Sequence, residues 1–183
     1  YNVDASNIRN QSDVGGGGLL DIGCYCISSS RWICDREPER VIGLFDKDPS
    51  FGTDRLASGI LDFGNGLQAS FTCSTQVAPY QRINILGTHG RVEIDIPFNA
   101  PPDRPCRVSL YPGTHSDQGR FEPAESQVLD MDICDQYTLQ GEAISLGILN
   151  DEPVPYGLED AVGNMRTLEA LRQSNESSTW IVP

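Results

Sequence analysis

Apolar residues along this chain follow two rhythms, and the switch between them marks out the elements. Over residues 17–34, Leu20, Gly23 and Ile27 recur at helical spacing, with Trp32 and Ile33 closing the stripe, which predicts a helix. Glu37-Pro38 ends it, because the residue before a proline is pushed out of the helical region. The middle of the chain then turns to a β-like pattern. Arg40–Asp46 alternates weakly, and Ala57–Phe63 and Leu67–Ser74 flank Gly64-Asn65-Gly66, a hairpin signal. Gln81–Leu86 and Arg91–Ile96 flank Gly87-Thr88-His89-Gly90, with Val92, Ile94 and Ile96 alternating cleanly.

Prolines at 97, 101, 102 and 105 make residues 97–105 a loop. Arg107–Tyr111 and Glu125–Met131 read as further strands. The helical rhythm returns over Cys134–Leu149 and Leu158–Gln173, where Ala161, Val162, Met165, Leu168 and Leu171 share one side. Residues 1–14 read as an extended polar lead-in, and Thr179–Val182 as a short edge strand. One helix, about six strands joined by tight turns, then two helices predict an α+β fold: an open, mostly antiparallel sheet with helices on one face.

Four consecutive glycines, Gly15–Gly18, open the first helix. Glycine is costly to order, so a run of it points to close backbone approach or turns where a Cβ would clash. Asp21 and Tyr25 follow, four residues apart and about 40° apart around an α-helix. A carboxylate and a phenol on one face beside such an opening suit proton transfer. The same pair also reads as an ordinary surface contact, and the residues alone leave both readings open. Arg9 reads equally as an ion-pair or a functional residue. His89 in a hairpin turn and His115 in a polar loop read as solvated. Glu93 and Asp95 alternate with apolar neighbours, as on an outward sheet face.

Charge narrows the partners. Thirteen basic against 26 acidic residues give a net charge of −13 and a pI near 4.4, which opposes nucleic acid and anionic membranes. No run of 18 apolar residues suggests a membrane span. The six cysteines form no C-x-x-C pair, and Cys24 and Cys26 would point about 160° apart on a helix, so no metal site is expected. Free thiols in a reducing compartment, hence a cytoplasmic protein, is the simple reading. A secreted disulfide framework is the alternative.

The stretch Gly-Gly-Gly-Gly-Leu-Leu-Asp-Ile-Gly-Cys-Tyr, preceded by Asn7-Ile8-Arg9, resembles the start of the C-terminal domain of the Gfo/Idh/MocA oxidoreductases. The resemblance runs on through Leu61–Gly66, Ala78-Pro79-Tyr80-Gln81-Arg82 and Gly87–Ile94 into the last two helices. It implies a glyceraldehyde-3-phosphate dehydrogenase-like C-terminal fold, with residues 1–183 forming a substrate-binding and oligomerisation domain. An N-terminal Rossmann domain that binds NAD or NADP would be absent from this chain. The glycine run is not a dinucleotide fingerprint: G-x-G-x-x-G needs glycine at position 20 or 21, which are Leu20 and Asp21. The family's Glu-Lys-Pro motif is missing as well.

The resemblance also implies roles. Tyr25 would be the general acid–base in hydride transfer at a hydroxyl carbon of a sugar, polyol or related compound, and Asp21 would bind and orient substrate. Arg9 would contact substrate or the domain interface, and Gly17 and Gly18 would allow close approach of substrate and nicotinamide. A free phenol titrates near pH 10, so work near neutrality calls for a nearby cation. The fragment alone is expected to be inactive, and the complete protein to be a homo-oligomer assembled through the open sheet face. A non-catalytic binding or assembly module with the same fold is the competing reading.

Overall fold

The computed structural model describes residues 3–183; the first two residues of the expected lead-in lie outside the described residues. The described residues divide into two compact units, one ending at Ala78 and resuming at Tyr156, the other Pro79–Pro155. The α+β reading holds: among the described residues three α-helices accompany eight strands, every pairing antiparallel. The strands form two sheets, of three and five strands.

In the first unit, β1 (Arg40–Lys47), β2 (Asp54–Asp62) and β3 (Gln68–Ser74) lie in sequence order. The β2–β3 hairpin turns where Gly64, Asn65 and Gly66 all take positive φ, the conformation that selected glycine and asparagine there. Against the sheet pack α1 (Cys24–Cys34) and α3 (Leu158–Ser177). Ile27, Val41, Ala57, Leu61, Phe63, Leu168 and Leu171 are buried between them, the apolar burial that stabilises the unit.

Two glycines shape this contact. Gly43 and Gly59 face each other across β1 and β2. A Cβ on Gly43 would sit 2.9 Å from the Leu171 carbonyl oxygen, and one on Gly59 would sit 2.6 Å from Phe71 Cε1 and 3.0 Å from Leu171 Cδ2. The bare backbone thus forms a trough for α3. Gly59→Ala is expected to lower stability by about 1–3 kcal/mol, as overpacked cores do; an unchanged denaturation midpoint would show that the trough has slack.

The outer edge of β1 is closed by the chain's C-terminal part. Val41 exchanges backbone hydrogen bonds with Ile181, the Gly43 N–H donates to Ser174 Oγ, and the Phe45 N–H donates to Asn175 Oδ1. The expected final strand is therefore a single bridge. Polar side chains of α3 do the rest of the edge protection.

The second unit holds β4 (Ile83–Gly87), β5 (Gly90–Ile94), β6 (Arg107–His115), β7 (Phe121–Pro123), β8 (Gln127–Asp130) and α2 (Gln136–Asn150). The hairpin expected at Gly87–Gly90 is present, with those two glycines paired. The proline-rich loop after it forms no helix or strand at 97–105. Glu93 and Asp95 form ion pairs with Arg82, and Glu93 also with Arg91, so this stretch is more than a solvated face.

Candidate active site

The glycine run leads into a π-helical turn, Leu19–Gly23, continuous with α1. The first residues are not the extended lead-in expected from sequence: Ile8–Asn10 and Ser12–Val14 form two 3₁₀ turns. The Asn7 side chain caps the first by accepting the Arg9 N–H. Leu19, Gly23, Ile27 and Arg31 are the buried positions of the combined helix, at a four-residue period. Leu20 and Trp32, assigned to the apolar stripe from sequence, are exposed. A plain α-helix advances about 100° per residue, and the inserted π turn shifts the phase so that Leu19 faces inward instead.

The turn is held by Asp54 of β2. Its carboxylate accepts the Leu19 N–H at 2.6 Å, so it caps a helix start that has no cap of its own. The close approach made by Gly17 is to this same carboxylate, which occupies the place of the missing Cβ; Gly18 lies against the Asp54 backbone. Burial pushes the Asp54 carboxyl above its ordinary range, with the accepted N–H groups opposing. On the other side, the Gly16 N–H donates to the Gln11 carbonyl and the Gly17 N–H to the Arg9 carbonyl.

Those bonds bring the three sequence-predicted residues together. Arg9 Nε donates to Asp21 Oδ2 at 2.7 Å, across a gap of 12 residues. The pair is half-exposed, and the Asp21 carboxylate raises the Arg9 guanidinium above its usual value. Tyr25 follows four residues beyond Asp21, at the start of α1, and its side chain is about half exposed at 49%. A carboxylate, a guanidinium and a phenol on one exposed patch can bind and orient a hydroxyl and exchange a proton with it.

The glycine run does not fit a dinucleotide diphosphate. The Gly16, Gly17 and Leu19 N–H groups are committed to Gln11, Arg9 and Asp54, whereas a phosphate cradle needs such groups aimed at the ligand. His89 and His115 are exposed, with His115 bonded to the Thr88 and Gly119 carbonyls. Sequence reasoning missed Asp54, which carries no motif, and Arg31, whose guanidinium is buried at the foot of α1. Arg31 Nε lies 2.7 Å from Glu37 Oε2, and its Nη1 lies 3.0 Å from Asp160 Oδ1 on α3.

All six cysteines are free. Burial pushes Cys26 up to about 11 and Cys73 up to about 12. Only thiolates react readily, so native protein treated with iodoacetamide at pH 7.5 should carry label on exposed Cys134 while Cys26 and Cys73 stay unmodified by mass spectrometry. Rapid labelling of either would contradict this packing.

Helices packed on an antiparallel sheet, with an acid and a phenol at the start of the first helix, give an α+β domain of the kind expected from the sequence. The chain belongs to the Gfo/Idh/MocA family: the GFO/IDH/MocA C-terminal domain model matches residues 1–93. An uncharacterized oxidoreductase of Rhizobium meliloti is 38% identical over 179 residues, covering 98% of this chain and 52% of that protein. A D-xylose 1-dehydrogenase (NADP(+)) of Haloferax volcanii is 28% identical over 177 residues, covering 97% of this chain and 51% of the relative. The fold is similar to that of an aldose-aldose oxidoreductase from Caulobacter crescentus crystallised with glycerol, with a TM-score of 0.77 at 24% identity over 98% of this chain and 52% of that one. The chain spans about half the length of the curated relatives it matches.

Proposed function

We propose that this chain is the C-terminal substrate-binding and oligomerisation domain of an NAD(P)-dependent oxidoreductase acting on a CH–OH group of a sugar, polyol or related hydroxy compound. The observation that carries this reading is the Arg9–Asp21 pair, with Tyr25 four residues beyond Asp21 at the start of the helix. The oxidoreductase and D-xylose dehydrogenase relatives support it. Asp21 and Arg9 bind and orient the substrate hydroxyls. Tyr25 takes the hydroxyl proton in oxidation and returns it in reduction. The nicotinamide supplies the hydride acceptor. Since the Gly16, Gly17 and Leu19 N–H groups are committed to protein acceptors, the reading places cofactor binding on sequence outside residues 1–183.

The exposed face of the three-stranded sheet carries Leu44, Leu56 and Ile60, which supports self-association through that face. The free thiols support a cytoplasmic setting. Among the described residues, no helix is long and apolar enough to cross a membrane.

The test is to supply the complete protein with D-xylose, D-glucose, myo-inositol and glycerol, each with NAD⁺ and with NADP⁺, and to follow reduced nicotinamide. Turnover of at least one polyhydroxy compound is expected, from a species that light scattering sizes as an oligomer. No turnover with any pair would favour a non-catalytic module, and a monomer would remove the assembly part of the reading.

A further inference from the structure

We propose that Asp54, on a strand and 33 residues beyond Asp21 in sequence, is the positioning residue of the candidate site. The inference rests on the functional reading above and adds a residue to it. Four contacts carry it. The Asp54 carboxylate accepts the Leu19 N–H at 2.6 Å, which fixes where the π turn begins. It fills the space beside Gly17 that a Cβ would take. The Gly17 carbonyl accepts the Asp21 N–H at 3.2 Å, and the Gly17 N–H donates to the Arg9 carbonyl at 2.9 Å. The ring closes where Arg9 Nε meets the Asp21 carboxylate at 2.7 Å.

Gly17 is therefore the shared node. Its two peptide groups tie the backbones of Arg9 and Asp21 together, and Asp54 sets its position from the sheet side. The φ of Gly17 is +118°, a conformation other residues rarely adopt. π turns inside α-helices occur mostly at functional sites, since they re-aim side chains. Here the re-aimed side chain is Asp21. Asp54 touches neither Asp21 nor Tyr25 through any bond described above, so its action on them passes through the backbone of the turn. A displacement of about 1 Å at a reacting group is enough for a large loss of rate.

The test uses the complete protein, with D-xylose as the probe. In Asp54→Ala, amide exchange at Leu19 and Asp21 is expected to rise at least about tenfold, and kcat to fall about 10- to 100-fold with KM raised as well, since the displaced Asp21 also binds the substrate. Asp54→Asn keeps an acceptor oxygen for the Leu19 N–H and is expected to restore both readouts to within about threefold. In an Asp21→Asn background, Asp54→Ala should cost less than about threefold further in kcat, since the placement of a group already lost no longer matters. A merely structural role would cost the same factor in both backgrounds, and that result overturns the proposal. So does unchanged exchange at Leu19 and Asp21 in Asp54→Ala. Wild-type turnover in Asp21→Asn alone would instead sink the functional reading, leaving exchange to decide whether Asp54 holds the turn. Should Asp54→Ala not fold, Gly17→Ala, which drives a methyl group at the same carboxylate, takes its place with the same expected values.

Discussion

Tyr25→Phe in the complete protein is expected to lower kcat by about 10²–10⁴, the usual share of a general acid–base group. The substitution removes one oxygen and leaves the ring. The ring is about half exposed on the first turn of α1 and belongs to no buried cluster, so thermal stability should stay within about 0.5 kcal/mol of wild type. KM should change little, because orientation of the hydroxyl substrate is assigned to Asp21 and Arg9. Their pairing at 2.7 Å survives the loss of the phenol oxygen. Steady-state kinetics with the best hydroxy substrate decide the matter. Turnover within about threefold of wild type removes Tyr25 from the chemistry and leaves the Arg9–Asp21 pair as a binding feature only.

Arg31→Met is expected to cost about 2–3 kcal/mol of stability and to lower Tm by roughly 5–10 °C for a chain of this size. Arg31 occupies the last buried position of the helix stripe, at 6% side-chain exposure. Its guanidinium meets both Glu37 oxygens and reaches the Asp160 carboxylate and carbonyl, joining α1, the loop after it and α3. Gly163 leaves room for it, since a Cβ there would stand 2.5 Å from Arg31 Nη2. Breaking a fully buried pair costs about 3–5 kcal/mol. Glu37 and Asp160 are partly exposed and regain water when the arginine goes, which places the expected loss at the lower end.

The same cluster sets an acid dependence. The Arg31 guanidinium holds the Glu37 carboxyl below the usual carboxylate range. A depressed folded-state value contributes stability that is present above about pH 4.3, the unfolded value, and is lost as pH falls through the folded one. Wild type should therefore lose stability below about pH 4 more steeply than Arg31→Met. Melting curves at pH 7 and pH 3.5 check both points, and parallel losses would show that Glu37 draws nothing from Arg31.

Much of this fold is legible in the chain because its elements are locally encoded. Gly64-Asn65-Gly66 and Gly87–Gly90 mark hairpins, since the positive φ of Gly64, Asn65, Gly66 and Gly90 is a property of single residues and needs no tertiary context. The period-two run at 91–96 and the helical run at 158–173 were readable for the same reason, with ends displaced by a few residues. β7 escaped notice because three exposed residues, Phe121–Pro123, carry no alternation. The division of the strands between two sheets was likewise silent, because partner choice is a long-range matter.

The site divides the same way. Sequence by itself determined the identity and spacing of Asp21 and Tyr25, the glycine run before them, the family resemblance they carry, and the acidity that opposes polyanionic partners. The tertiary structure decided what these residues face. It inserted a π turn that brings Leu19 rather than Leu20 into the core, closed Arg9 onto Asp21, set Asp54 against the backbone of Gly17 and buried Arg31 against α3. The physical reason is distance along the chain. A turn depends on neighbouring residues, whereas a carboxylate from β2 reaches the helix start only after sheet and helix have packed, and no local pattern records that meeting.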